Sequence, residues 1–353
     1  MYQVLACGSN GNYQLGQADD EDQRALRPCI FQMQGESTTT TTTERKPIKV
    51  ACGGNHTLIL FDNGEVFSCG DNEFGQAGHS EDVSSVPVFT RIPPVQGKII
   101  DISCGWDYSF LLTDRNELYV CGRGLKGELG LGSDISQAVR PRLVTKFDTK
   151  VKRIRTAVNH TIVQTDDNKL YGWGSCRKGQ LGTVKDDFVK RGAIWKPVEL
   201  DFGVPNIDSF ELGREFTIVS SSRGVHLFGK SNIDIQKVRE QVGSIELMET
   251  MWSSVHLKDH CTIKSFGTNT HGQLYNYGSI DDDFEFVVGS EHGLLKSENK
   301  VYAWGWGEHG NCGDSSDSIT FDYLNLLYDG SNEVVMIFGG CATSWVVTKK
   351  RPI

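Results

Sequence analysis

The sequence predicts an all-β chain folded as a seven-bladed β-propeller of four-stranded antiparallel blades. Three observations carry that expectation. A glycine-rich block of the form aromatic/small-Gly-x-x-x-x-Gly-Gln-Leu-Gly recurs seven times, and a second, apolar block precedes every copy but the first. The chain also opens on one block type and closes on the other. Units of about 40–50 residues built from hairpins bury their faces against neighbouring units, which is the logic of a propeller.

The first block reads "LACGSNGNYQLG", "FSCGDNEFGQAG", "YVCGRGLKGELG" and "YGWGSCRKGQLG", with weaker copies "HLFGKSN", "KSFGTNTHGQL" and "YAWGWGEHGNCG". Their leading glycines are Gly8, Gly70, Gly122, Gly174, Gly229, Gly267 and Gly305. A glycine so placed supplies positive φ, and a tight turn in each blade is the expected use. The second block, as in "VACGGNHTLILFDNG" or "ISCGWDYSFLLTDRN", is apolar run, turn, apolar run, the pattern of a β-hairpin. The last copy, "IFGGCATSWVVT", has no glycine block after it, so residues near 336 to 348 are expected to complete one blade with residues near 1 to 16, joining the two ends of the chain. The whole chain, 1–353, then reads as a single propeller. Within it, "GESTTTTTTERK" at 35–46 is a low-complexity loop insertion expected on a mobile surface. The stretch 230–246 lacks the glycine signal and marks a degenerate fifth blade, while "SIDDDFEF" at 279–286 reads as a solvated acidic turn.

A net charge of -9 argues against attraction to nucleic acid or anionic membrane, and no direct DNA binding is expected. No run of 18 apolar residues occurs, and the N-terminus lacks a basic-then-apolar leader pattern, so the expected compartment is the cytoplasm, with the nucleus as a second. None of the ten cysteines forms a C-x-x-C pair; Cys52 and Cys104 share one repeat position and Cys69 and Cys121 another. They read as reduced, buried small hydrophobes rather than disulfides or zinc ligands.

No chemistry of an enzyme emerges. Gly305, Gly307 and Gly310, like Gly122, Gly124 and Gly127, match G-x-G-x-x-G, but neither copy leads into an expected helix whose N-terminus would hold a pyrophosphate. His309 with Cys312 is a lone pair without further zinc ligands. His56, His160 and His292 occupy one repeat position in three blades, which suits either a ligand ring or, with more weight, hydrogen bonds to a neighbouring blade. More telling are departures from the repeat. The turn after the second-block glycine holds Gly54, Trp106, Val158, Arg214, Trp252, Ser290 and Cys341, and Trp306 stands where sister copies have Ser9, Asp71 and Ser175. Indoles at such turns either fill gaps between blades or form a recognition surface, the latter favoured for Trp106 and Trp252.

These two alternating blocks resemble the regulator of chromosome condensation repeat over essentially the whole chain. A narrower set, "GSNGNYQLG", "ACGGNHTL", "CGWD", "GSEHG", "WGWGEHGNCG" and "FGGCATSW", is similar to the fungal alpha-tubulin suppressor, or killer-toxin-insensitivity, group of propellers. That resemblance implies a non-enzymatic adaptor without cofactor or metal of its own. It implies a heterodimer with a small CSL-type zinc protein, diphthamide biosynthesis protein 3, in support of Elongator-dependent tRNA wobble-uridine modification and of diphthamide formation on elongation factor two. Contact with the Elongator complex would be indirect. Trp106, Asp107, Trp252, Glu291, His292, Trp306, Glu308 and His309 are expected on the partner-binding face. The alternative expectation is a guanine-nucleotide exchange factor for a small GTPase.

Overall fold

The structure, a computed structural model, describes residues 1–32, 38–280, 283–314 and 318–351. Residues 35–37 of the threonine-rich insertion, Asp281 and Asp282 of the acidic stretch, and the terminal Pro352 and Ile353 lie outside the described residues. Nearly all regular structure is strand, arranged in seven small, mainly antiparallel sheets, the blades of a seven-bladed β-propeller. Blades are numbered here by the glycine block each contains. By contacts the chain divides into two compact units. One comprises 1–47, 87–89 and 231–353, with blades 1, 6 and 7; the other comprises 48–86 and 90–230, with blades 2 to 5.

In the first unit the chain ends share blade 1, as the block order predicts. Tyr2–Gly8 pairs antiparallel with Thr343–Lys349, from Tyr2 opposite Lys349 to Gly8 opposite Thr343. Gln23–Pro28 and Glu333–Gly339 flank this pair. The threonine insertion is less free than its composition suggests. Thr39–Thr40 pairs with Phe31–Gln32, and Thr43 exchanges both backbone hydrogen bonds with Tyr2 at 2.7 and 2.9 Å.

In the second unit the middle strands His56–Phe61, Tyr108–Thr113 and His160–Thr165 are buried along their whole length. A strand covered on both faces needs unbroken apolar sequence, which explains runs such as "HTLILF" and "YSFLLT". Blade 5 has three strands, and the stretch 230–246, which belongs to the first unit from Ser231 on, contains the one α-helix among the described residues, Ile235–Gln241. Asp234 caps it by accepting from the backbone N–H of Gln236 and Lys237. Blade 6, in the first unit, is likewise three-stranded, while the sheet of blade 4 has five strands and that of blade 2 six, so the expectation of four strands throughout holds only for blades 1, 3 and 7. The acidic stretch is corrected as well. Phe284 and Phe286 are buried in the strand Phe284–Val288, and the core of the first unit claims what charge alone assigns to solvent.

The leading glycines are the most regular feature. All seven adopt positive φ, from 98° at Gly174 to 130° at Gly267. They do not sit in tight turns, however. Each lies at the end of the third strand, opposite the first residue of the second: Gly70 faces His56, Gly122 faces Tyr108 and Gly305 faces His292. The next residue then donates its N–H to the carbonyl just before that strand, as Arg123 does to Asp107 at 2.8 Å and Trp306 to Glu291 at 2.9 Å. The left-handed residue bends the third strand, and in five blades the register to the fourth strand slips there.

The Gln of the block is equally regular. Its side chain accepts the N–H two residues earlier in the loop, from Asn12 to Gln14, Phe74 to Gln76, Lys178 to Gln180 and His271 to Gln273, at 2.8 to 2.9 Å. Its backbone carbonyl accepts from the following blade: Ser109 Oγ on Gln76, Trp173 Nε1 on Glu128, Thr217 Oγ1 on Gln180, Trp304 Nε1 on Gln273 and Ser344 Oγ on Asn311, at 2.6 to 2.9 Å. One residue thus closes its own loop and locks the next sheet in place.

Candidate functional site

Two of the three repeated histidines belong to this lock, while both ring nitrogens of the buried His160 have no hydrogen-bond partner among the described residues. His56 Nε2 lies 2.7 Å from Ser109 Oγ, and His292 Nε2 lies 2.9 Å from Ser344 Oγ. Each serine spends its proton on a carbonyl, so the imidazole Nε2 must be the donor to it. Burial pushes His56 and His160 down to about 3 and His292 to about 4, so all three stay neutral at physiological pH. His292 is therefore removed from the expected partner face: it is 0% exposed, and its ring is committed to the adjoining sheet. The cysteines follow the same logic. Cys7 and Cys121 are buried, and burial pushes their thiols up to about 12, which suits small core hydrophobes, whereas Cys261 is exposed, against expectation.

Two loop clusters hold the other expected residues, one in each unit. In the second unit Trp106 follows Gly105 in the turn before Tyr108–Thr113, and 41% of its surface is exposed. Its carbonyl accepts from Gly54 N–H at 2.9 Å and its own N–H donates to Val158, so successive blades are tied through this turn. Its indole lies over Gly54, where a Cβ would come within 2.9 Å of the ring. Asp107 pairs with Arg123 at 3.2 Å; burial raises the Asp107 pKa and Arg123 opposes that shift. Arg123 in turn lies 3.4 Å from the centroid of the Phe74 ring, a cation–π contact.

In the first unit Trp252, Glu291 and Trp306 come together on adjoining loops. Trp252 N–H donates to Ser290 at 2.8 Å, and Trp306 N–H to Glu291. The Glu291 carboxylate is held by Ser253 Oγ at 2.8 Å and Gln273 Nε2 at 3.3 Å, which fixes a negative charge beside the indole. Trp306 is stacked on His271, with centroids 4.1 Å apart and planes at 7°. Glu308 is exposed next to it, and His309 Nδ1 lies 2.8 Å from the Asp22 carboxylate, 287 residues away in the chain. Asp22 reaches His309 because the N-terminal strands share blade 1 with the C-terminal ones.

His271, Gln273, Ser253 and Asp22 are members of this cluster that sequence reasoning missed, as are Arg123 and Phe74 in the other. A signal was present. With the blocks aligned on their leading glycines, Phe74 and His271 fall in one column, and Arg123 and Trp306 in another. The tip of one blade's loop stacks on the residue after the next blade's glycine, in both units alike.

Seven sheets, each with a positive-φ glycine, five of them also passing a Gln-type carbonyl to the next, form a repeat that can be compared with known ones. The family model described as "RCC1-like domain" matches residues 3–346. The chain belongs to that family. An RCC1 repeat-containing protein of Schizosaccharomyces pombe is 29% identical over 380 residues, covering 99% of both chains. The RCC1-like chain is also 25% identical to a secretion-regulating guanine nucleotide exchange factor of Mus musculus, across 76% of this chain and 68% of that protein. Among solved structures, Prp20p of Saccharomyces cerevisiae, described with its binding to Gsp1p and histones, superposes with a TM-score of 0.80 over 99% of this chain and 92% of that one. At 17% identity that likeness concerns the fold. RCC1-like propellers are generally regulators or binding proteins, and the clusters above have the composition of binding surfaces.

Proposed function

We propose that this RCC1-like propeller is a non-enzymatic adaptor that holds the small CSL-type zinc protein, diphthamide biosynthesis protein 3, as a heterodimer. Through that partner it supports Elongator-dependent modification of tRNA wobble uridines and diphthamide synthesis on elongation factor two. It does so in the cytoplasm, with a second pool in the nucleus. The reading rests on the similarity of motifs such as "WGWGEHGNCG" to the killer-toxin-insensitivity propellers. The observation that carries it is the Trp306–His271 stack beside the fixed Glu291 carboxylate. A rigid aromatic with a buttressed charge next to it is the composition of a binding hot spot.

Titration calorimetry of the purified chain with the zinc-loaded partner tests this. Trp306→Ala and, separately, Trp252→Ala are expected to weaken the complex by more than about tenfold, since hot-spot side chains contribute about 2 kcal/mol or more. Unchanged affinity in variants with an intact fold removes the site. A second reading, exchange factor for a small GTPase, draws on the mouse relative. Accelerated release of labelled guanine nucleotide from a panel of small GTPases would establish it in place of the adaptor.

A further inference from the structure

The loop columns that produce the two stacks are filled differently between blades 3 and 4. The tip position held by Phe74 and His271 is Lys126 there, and the post-glycine position held by Arg123 and Trp306 is Ser175, small and 9% exposed. With no large side chain to cover the tip, a cleft of about 420 Å³ remains, lined among others by Lys126, Arg177, Lys178, Arg191, Trp195 and Glu215. That volume is within the usual range for a ligand pocket.

The cationic side of this cleft is built rather than incidental. Arg191 and Gly192 form the two-residue turn between Val189–Lys190 and Ala193–Glu199, with φ of 57° and 74°. Two left-handed residues make the turn that suits hairpin twist, but arginine at such a position carries backbone strain where Asn or Gly would not. Arg177 packs across Gly192 so closely that a Cβ there would strike its side chain, and its Nη2 donates to the Arg191 carbonyl at 3.0 Å. Among the described residues none of Lys126, Arg177, Lys178 and Arg191 is in an ion pair, and Glu215 is the carboxylate in the lining. Elsewhere in the same unit Arg153 and Arg155 share Glu211 at 3.3 and 2.8 Å. In a chain with 45 acidic and 36 basic residues, four cations converging on one concavity, of which Lys126 alone is close enough to the Glu128 carboxylate to oppose the rise that burial gives its pKa, call for an anionic ligand.

We propose that this cleft binds an acidic peptide segment of a partner protein, its carboxylates on Lys126, Arg177, Lys178 and Arg191 and an adjacent apolar side chain against Trp195. The indole is held for that role by a 2.8 Å hydrogen bond from its Nε1 to the Lys190 carbonyl, and Leu125, 65% exposed, extends the apolar rim. A peptide fits better than a nucleic acid. The overall negative field opposes a long polyanion, whereas a short segment needs the local charge alone. The site lies in the second unit and does not depend on the zinc-protein contact proposed for the first.

Fluorescence anisotropy with a fluorescein-labelled hexapeptide of glutamates around one leucine tests the proposal on the full chain. Saturable binding that weakens with added salt is expected. Arg177→Glu with Lys178→Glu, and Lys126→Glu as an independent variant, should each reduce affinity at least about tenfold, as loss or reversal of close charge pairs does, while Trp306→Ala leaves it unchanged. Equal binding by variants that keep the wild-type thermal midpoint would overturn the proposal. So would a labelled single-stranded RNA dodecamer that binds more tightly than the peptide and is lost in the same variants, because the ligand class would then be nucleic acid.

Discussion

Gly305→Val is expected to destabilise the protein by about 3 kcal/mol or more, read as a lowered urea midpoint with unchanged slope. Two costs combine. The backbone at Gly305 has φ of 104°, a region that a β-branched side chain scarcely enters. A Cβ there would also stand 2.7 Å from the Glu291 carbonyl oxygen and 2.7 Å from His292 Cα, backbone atoms at the entry to a strand whose first four residues are buried and cannot step aside. Relief requires moving the third strand of blade 7, which carries Trp306 away from His271, so partner binding should fall along with stability. Gly11→Val is the control. It has no positive φ and no atom within 4 Å of a built Cβ, and a surface change of that kind is worth about 0.5 kcal/mol or less.

Trp173 carries the second large effect. Its side chain is 0% exposed, edge-on to Phe110 at 5.4 Å, and its Nε1 donates to the Glu128 carbonyl at 2.9 Å. Trp173→Ala should cost about 3–5 kcal/mol through lost burial and the cavity left behind. Trp173→Phe keeps much of the volume but strips the donor from a buried carbonyl, for which about 1–3 kcal/mol is expected. The ordering of wild type, Phe and Ala in denaturant midpoint checks the assignment. A phenylalanine variant as stable as wild type would mean that the carbonyl passed from blade 3 to blade 4 contributes nothing.

The repeat was legible in the sequence because it is made of residues whose roles are backbone-specific. A glycine in every block and a glutamine-like residue six positions on leave a pattern that survives even in "YAWGWGEHGNCG". What the glycine does was harder to read. Positive φ follows from the residue type, but its place inside a strand, opposite His56 or His292, depends on pairing that sequence spacing does not reveal. The helix Ile235–Gln241 was missed because seven residues are too few for a helical period to show, although Asp234 ahead of it is a capping residue. The aromatic stacks were hidden for a different reason. Trp306 announces itself, while His271 matters through a partner in the next block, and the cationic cleft is made by what Ser175 lacks. Asp22 was unreadable although the shared blade was expected, because it lies beyond the 1–16 block and only the pairing of Gln23–Pro28 brings it to His309.

That shared sheet is the claim on which the first-unit cluster depends, since it brings Asp22 to His309. It is tested by replacing Tyr2 and Lys349, directly opposite one another across blade 1, with cysteine and mapping the oxidised protein by mass spectrometry. Facing strand positions lie within the span a disulfide can bridge, and closing so long a loop should raise stability by about 2–4 kcal/mol. The account predicts a cross-linked peptide joining the two ends of the chain and a higher thermal midpoint. A folded double variant in which residues 2 and 349 never join would contradict it.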